Sequence, residues 1–428
     1  MREYNCDLHF HGPYSGGVSK NMLIPVIAEQ ARLKGLHVIS TADILHAKWL
    51  EHVKESITEQ GNGIFADKKS GEINFIPGTE IEDRARVHHL LYFPDFASAA
   101  NLKEKWRGKA NFDSWGCGRP RVRLNGEEIA AAVDEVGGIC GPAHAFTPYF
   151  SIYSHHESVE KCYGSLAKKI YFMELGLSAD TDIADMIPDN RNYAFCTNSD
   201  SHSPWPYRIG REFNRIRMKE PCFAELADAL KEREEKRITL NVGLDPCEGK
   251  YHMTACNACF AQYSAKRAAE LNWKCLACGG AIKKGAHDLI AELSERFGNG
   301  KAEHPEFRPP YMHTIPLAEI IQIALHVEGV NTAKVQGLWK DFVERFGNEI
   351  SALIDAPVEE LAEVNADAAK KINAFRKGWV FYIPGGGGKY GTPVIGDSPG
   401  DLERRRKEAE QGLKKKNPAR GQRTLGDF

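Results

Sequence analysis

Asp7-Leu8-His9-Phe10-His11 decides how the first half of the chain is read. The stretch closes an apolar run that begins at Tyr4. Alternate residues of a strand share a face, so Asp7, His9 and His11 can point the same way from one strand end. Outward from this stretch, short apolar runs at 4–9, 36–41, 73–76, 87–93, 138–143, 170–175 and 193–197 each end in polar chemistry. Amphipathic stretches at 22–34, 125–136 and 222–236 lie between them, and Asn125 with Glu128 has capping-box spacing. This alternation predicts an α/β domain with largely parallel strands. Sites in such barrels gather at the carboxyl ends of the strands.

Those ends carry ligand-type side chains. Asp43 closes T-A-D, Glu80 follows Pro77-Gly78-Thr79, and His88 or His89 sits in V-H-H-L. His144 lies in G-P-A-H, Glu174 ends a strand, and Asp200 with His202 forms S-D-S-H. Charged groups rarely end apolar runs without a partner. Imidazole with carboxylate suits zinc or manganese, and a bridging carboxylate lets two ions sit ~4 Å apart, where they activate water and offset charge on a phosphate. Glu174 stays open between a buried acid, a group behind the ligands and a substrate contact.

In their order, D-L-H-F-H, G-T-E, V-H-H-L, P-A-H and S-D-S-H resemble the motifs of the PHP (polymerase and histidinol phosphatase) superfamily over residues 4–210. The resemblance implies a distorted (β/α)7 barrel holding two or three metal ions. It implies His9, His11, Glu80 and Asp200 on a first ion, Glu80 bridging to a second held by His88 and His144, and Asp43 with His202 on a third. Asp200, Glu80 and Glu174 are the expected catalytic acids. The chain departs from the pattern at Thr41-Ala42-Asp43, where T-D-H is usual, and it has no histidine at 12–20, where many relatives supply a third-site ligand.

Beyond a Gly-, Pro- and Asp-containing break at 241–249, Cys256-x-x-Cys259 and Cys275-x-x-Cys278 have the spacing of a four-thiolate structural zinc ribbon. The other seven of the eleven cysteines are scattered, several in apolar runs, and read as small buried hydrophobes in a reducing compartment. No signal peptide and no membrane-length apolar stretch is expected. Residues 284–380 read as mostly helical, with a Pro-rich interruption at 305–316. Within them, 346–378 loosely resembles a helix–hairpin–helix unit without its usual glycines around Asn365. The expected division is a catalytic barrel at 1–240, a ribbon at 241–284, a helical domain at 285–395 and a flexible or loosely helical tail at 396–428.

The formal charge is −2, so any nucleic-acid surface must be local. Residues 103–123 interleave seven Lys and Arg with Trp106, Phe112 and Trp115, a pattern suited to phosphates and stacked bases. Arg107, Trp115 and Arg121 are the candidates there. Lys20, in Gly16-Gly17-Val18-Ser19-Lys20, is a further phosphate candidate. The chain's last stretch, with Gln422, Leu425 and Phe428, resembles a peptide that binds the sliding clamp PCNA. Barrel, ribbon entry (H-M-T-A-C), helix I-P-L-A-E-I-I and tail together are similar to a family of DNA-repair endonucleases best represented in archaea. That resemblance implies cleavage 5′ to a damaged nucleotide (deoxyuridine, deoxyinosine, deoxyxanthosine or an abasic site) by a cytoplasmic monomer. Zinc is expected in the ribbon, with zinc, Mg²⁺ or Mn²⁺ at the cluster. A small-molecule phosphatase of the histidinol-phosphate type shares the metal motifs but has no use for a ribbon or a clamp peptide.

Overall fold

The computed structural model describes residues 1–232 and 235–416. It divides into two compact units, one of Met1–Gly176, Asp180–Gly243 and Leu293–Thr314, the other of Leu177–Ala179, Leu244–Glu292 and Ile315–Phe428.

The first unit is a distorted barrel. β1 (Arg2–Asp7) runs parallel to β2 (Val38–Ser40), and an antiparallel pair, β3 (Ile57–Glu59) and β4 (Phe65–Asp67), hangs on β5 (Asn74–Ile76), itself parallel to β2. Only Pro77 separates β5 from β6 (Gly78–Glu82). β6 pairs with β7 (His88–Tyr92), and β7 with β8 (Ile139–Pro142). The amide of Ala145 donates to Glu174 at 2.8 Å, linking the end of β8 to β9 (Phe172–Glu174), which is parallel to β10 (Ala194–Cys196). A bridge between Phe10 and Ser201 returns β10 to the end of β1 and closes the ring. β11 (Phe213–Met218) and β12 (Ile238–Gly243) extend the sheet beyond β1.

The alternation predicts largely parallel strands, and β6/β7 and β7/β8 are antiparallel exceptions. The cause is local. A parallel return needs a crossover of a dozen or more residues, and only five separate Glu82 from His88. Asp83 Oδ1 accepts from the Val87 amide at 2.8 Å and Arg86 takes a left-handed φ of 75°, which makes the link a hairpin.

Close packing sets the remaining geometry. Gly141 lets β8 approach β9, since a Cβ there would lie 2.5 Å from the Phe172 carbonyl oxygen. Helix Gly126–Glu135 starts on the expected capping box, Asn125 and Glu128 each accepting the other's amide at 2.8 Å, and it buries Ile129, Ala130 and Val133. Such a cap stabilises a helix by about 1 kcal/mol. Cys6, Leu8, Val38, Ile76, Leu90, Tyr92, Phe172 and Cys196 are among the residues of one buried cluster, so apolar side chains fill this barrel.

Residues 293–314, which the sequence had placed with the helical domain, belong to the first unit. β15 (Tyr311–His313) lies parallel to β12, and the buried Arg308 guanidinium bonds both Asp185 oxygens at 2.8–2.9 Å.

In the second unit, β13 (Ala255–Cys256) pairs antiparallel with β14 (Ile282–Lys283) to frame the cysteine knuckles. Helices Leu317–Leu325, Ala333–Phe346, Val358–Val364 and Ala366–Arg376 follow, then a hairpin of β16 (Val380–Ile383) and β17 (Thr392–Ile395). Val358–Val364 and Ala366–Arg376 meet at the single residue Asn365, whose side chain accepts from the Ala368 amide at 2.9 Å. The Ala368 amide is thereby engaged as an ordinary helix cap. Part of the expected flexible tail is a helix, Pro399–Lys416, laced by pairs such as Arg405–Asp401 and Lys407–Glu403. Gln422, Leu425 and Phe428 lie outside the described residues. Among the described residues no helix is long and apolar enough to cross a membrane.

Candidate metal centre

The middle of β6, the amino end of β7 and the segments that follow β1, β8 and β10 bring seven of the eight residues expected to hold ions into two adjoining groups that share Glu80. In the first, His9 Nε2 lies 3.7 Å from Glu80 and 3.6 Å from Asp200, and His11 Nε2 lies 3.2 Å and 3.4 Å from the same carboxylates. In the second, Glu80 Oε1 is 2.9 Å from His88 Nδ1 and 3.1 Å from His144 Nε2. His202 joins His11 and Asp200 on the outer side, its ring edge-on to His11 at 4.8 Å. His88 is the histidine that faces the cluster, and it comes from the amino end of β7 because that strand runs backwards.

The donor set fits metal ions. Buried polar atoms are nearly always satisfied, yet His9 Nε2, His11 Nε2 and Asp200 Oδ1 have no hydrogen-bond partner while converging on one point. The rings are oriented from behind. His9 Nδ1 lies 3.0 Å from Glu174, and His11 Nδ1 lies 3.2 Å from Asp43. Each ring donates Nδ1–H to a carboxylate and leaves Nε2 for a ligand, the usual tautomer of a metal-binding histidine. His88 is held the other way round, with Nε2 3.4 Å from Glu82.

Two expectations change here. Asp43, expected on a third ion, is fully buried with both oxygens engaged: Oδ1 meets His11, and Oδ2 accepts from the Gly12 amide at 2.8 Å and the Ser15 hydroxyl at 2.7 Å. Glu174, expected among the catalytic acids, is also fully buried and accepts from His9, the His144 amide and Asn198 Nδ2. Both face imidazole Nδ1 atoms and backbone amides rather than the point on which the Nε2 atoms converge. Asp7 likewise turns away, accepting from the Ser199 amide at 3.0 Å and the Gly210 amide at 2.8 Å. Glu174→Ala is expected to lower metal affinity by about 10–100-fold, the usual cost of losing a partner behind a ligand. Titration of the metal-free protein with Mn²⁺ or Zn²⁺ checks this, and unchanged affinity would remove Glu174 from the positioning role.

Backbone strain collects at the same place. Asp43, His144 and Asp200 take left-handed φ values of 40°, 27° and 44°. Non-glycine residues hold such angles only where their surroundings over-determine them.

The metal-free cluster is an electrostatic cage. Burial alone would lower the pKa of His11, but the Asp43 charge and the nearby carboxylates of Asp200 and Glu80 outweigh it and raise it to about 10. Burial would raise Glu80, and the charges of His88, Arg119 and His9 with the close approach of His11 hold it well below the usual range. A cation must therefore displace protons from imidazoles that hold them throughout the neutral range. Metal uptake is expected to release protons and to strengthen as pH rises from 6 to 8. Calorimetry in buffers of different ionisation enthalpy reads this directly, and uptake without proton release would contradict it.

The nucleic-acid candidates are less concentrated. Trp115 is 70% exposed and stands edge-on to Tyr14 at 6.0 Å, while Tyr14 stacks on His46 at 4.3 Å. Arg121 pairs with Glu82 at 3.2 Å, Arg107 is held by its helix neighbour Glu104, and Lys20 is exposed on the loop after His11. The residue missed among the site candidates is Arg119. Its guanidinium reaches Glu80 at 3.0 Å. Amides of Gly116 and Gly118 donate to the Tyr14 carbonyl and pin its segment beside the cluster. Gly118 permits this, because a Cβ there would lie 2.7 Å from Asp43 Oδ2. The alternation of Arg119, Arg121 and Arg123 is visible in the chain, but which of them turns inward is not.

In the second unit, the four ribbon sulfurs lie within 4.8 Å of one another, with Cys256–Cys278 and Cys259–Cys275 at 3.5 Å. That is close to the edge, roughly 3.8 Å, of a tetrahedron built on zinc–sulfur bonds of ~2.3 Å.

Comparison with known proteins agrees with this geometry. A family model described as the MJ0043 C-terminal domain matches residues 316–379. The uncharacterized protein MJ0043 of Methanocaldococcus jannaschii is 47% identical over 259 residues, 59% of this chain and 32% of that protein, so the chain spans about a third of that relative's length. The crystal structure of a lesion-specific endonuclease from Pyrococcus furiosus superposes with a TM-score of 0.84 at 43% identity, covering 92% of this chain and 96% of the other. A structure of endonuclease Q with a 27-mer duplex, an abasic lesion at its active site, superposes at 0.86 with 43% identity over 92% and 97%. With identity at this level across nearly the whole of both solved chains, the chain belongs to the endonuclease Q family.

Proposed function

We propose that the chain is a metal-dependent DNA-repair endonuclease that hydrolyses the phosphodiester 5′ to a damaged nucleotide: deoxyuridine, deoxyinosine, deoxyxanthosine or an abasic site. One observation carries the reading: unpartnered imidazole and carboxylate atoms converge around Glu80, in a chain 43% identical to an endonuclease that holds an abasic duplex at its active site. Bound ions, as zinc, Mn²⁺ or Mg²⁺, would activate water and offset charge on the phosphate. His9, His11, Glu80 and Asp200 would hold one, Glu80, His88 and His144 another, and His202 would complete the outer side.

The chain's own residues do the rest. Asp200, Arg119 and His202 are the part-exposed members, with side chains 33%, 27% and 36% exposed, so DNA approaches from their side. Arg119 then exchanges Glu80 for a non-bridging phosphate oxygen, where a guanidinium fork fits. Arg119→Ala is expected to lower kcat on the order of 10²-fold, as loss of one charge-stabilising donor does, with Arg119→Lys recovering part of it. Single-turnover cleavage measures this, and an unaltered rate would leave Arg119 a structural counter-ion. Trp115 and Tyr14 offer stacking faces, and Lys20, Arg107 and Arg121 supply phosphate contacts once their local partners are exchanged for DNA. A weakly paired damaged base flips out at less cost than a sound one.

The ribbon holds Zn²⁺ through Cys256, Cys259, Cys275 and Cys278. Gln422, Leu425 and Phe428 bind the sliding clamp PCNA, and the protein acts as a cytoplasmic monomer. Deleting residues 421–428 should abolish clamp pull-down and leave cleavage of naked DNA intact. The central test is end-labelled DNA with one deoxyuridine, cut by wild type and Asp200→Ala in Mg²⁺, Mn²⁺ or Zn²⁺. One cut 5′ to the uracil, absent in the variant, supports the proposal. Hydrolysis of phosphomonoesters with no cut under any metal rejects it in favour of a small-molecule phosphatase.

A further inference from the structure

His88 and His89 are neighbours on β7 and so face opposite ways, His88 toward the cluster and His89 away from it. On that far side His89 is fully buried. Its Nδ1 lies 2.7 Å from the Tyr163 hydroxyl. Its Nε2 has no hydrogen-bond partner and faces Asp83 Oδ2, also without one, at 3.5 Å. The other oxygen of Asp83 is occupied by the Val87 amide. Cys162 Sγ is the third member, and the three donor atoms lie within 4.8 Å of one another, all on buried residues.

A gap of 3.5 Å exceeds the usual 2.7–3.2 Å of an N–H···O bond. It is close to the edge, roughly 3.3 Å, of a tetrahedron built on zinc–nitrogen and zinc–oxygen bonds of ~2.0–2.1 Å. We propose that Asp83 Oδ2, His89 Nε2 and Cys162 Sγ bind a zinc-class divalent ion, at a site separate from both the Glu80 cluster and the ribbon.

The chemistry is consistent at each atom. One thiolate, one imidazole and one carboxylate suit Zn²⁺, whereas Mg²⁺ and Ca²⁺ take oxygen donors. With an ion on Nε2, His89 would donate Nδ1–H to the Tyr163 oxygen, the tautomer that metal-binding histidines adopt. Cys162 would ligate as the thiolate, so uptake of an ion at this site releases the thiol proton. The ion would tie the hairpin at 83–87 and the start of β7 to helix Val159–Tyr163. It would thereby fix, from behind, the strand that presents His88 to the Glu80 cluster.

Cadmium-113 NMR of the full chain separates the three kinds of site, because each thiolate ligand moves the cadmium resonance downfield. The ribbon offers four thiolates and the Glu80 cluster none, so a resonance between them reports a one-thiolate site. The expected result is one such resonance in the wild type, lost in Cys162→Ser with the ribbon resonance unchanged. A wild-type spectrum with nothing between the two classes, or an intermediate resonance that survives Cys162→Ser, overturns the proposal. Should the variant fail to fold, the wild-type spectrum combined with metal content by mass spectrometry still decides. One more tightly held ion than the ribbon and the Glu80 cluster account for supports the site, and no surplus ion rejects it.

Discussion

Glu80→Gln is expected to lower kcat/KM for cleavage on the order of 10³-fold or more and to remove at least one bound ion. The substitution keeps the size of the side chain and loses its charge, and that charge is what the site is built around. Glu80 is 2% exposed and stands within 2.9–3.7 Å of His9, His11, His88 and His144, with Arg119 at 3.0 Å. Without its carboxylate, one end of each proposed ion position is a neutral amide, and among the described residues Asp200 is the one carboxylate left on the inner side of the cluster, with Glu174, Asp43 and Glu82 behind the rings. A loss of about 4 kcal/mol of transition-state stabilisation corresponds to ~10³ in rate. Single-turnover cleavage of deoxyuridine DNA, read with metal content on the same sample, tests both halves. Unchanged metal content would falsify Glu80 as the shared ligand, and cleavage near the wild-type rate would show that the ion it holds takes no part in the reaction.

The side chains that gather around Glu80 were legible because each follows an apolar run, and a charged side chain there needs a reason. His9, His11, Glu80, His144, Asp200 and His202 all announce themselves in this way. What the chain does not disclose is the direction of a carboxylate. Asp7, Asp43 and Glu174 stand at strand ends as plausibly as Glu80 does, yet their oxygens turn to amides and to imidazole Nδ1 atoms. Those partners lie up to 203 positions away, as the Gly210 amide does from Asp7, so only the folded ring decides. The choice between His88 and His89 is similar: alternation says that they face opposite ways but not which face holds the cluster. The reversal of β7 was recoverable, since five residues between Glu82 and His88 allow a hairpin and no crossover. Residues 293–314 gave no such cue, because what draws them to the first unit is the pairing of Arg308 with Asp185 and of β15 with β12.

Cys275→Ser is expected to release the ribbon's ion and to open residues 256–284 to proteolysis, while the first unit, which has its own core, stays resistant. The ribbon has little else to hold it. Its strands are two residues each, and its buried cluster is Cys256, Ala261, Tyr263, Ala268, Cys275 and Ile282, with Leu271 and Trp273 against it. A segment shorter than about 40 residues seldom buries enough apolar surface to fold without a metal or a cross-link. Structural zinc supplies about 10–16 kcal/mol in such peptides, more than any single contact in that cluster. The thiol chosen is the one prepared for binding. Burial alone would raise the Cys275 pKa, but the Tyr263 hydroxyl at 3.2 Å and backbone amides outweigh it and bring it to about 6, so the thiolate is present at neutral pH. Serine keeps the size and cannot supply that thiolate, so the remaining three cysteines bind zinc more weakly. Zinc content, the fluorescence of Trp273 and the sites of limited proteolysis together read the outcome. Full zinc content with an uncut 256–284 segment would show that packing around Tyr263, rather than the ion, carries the ribbon.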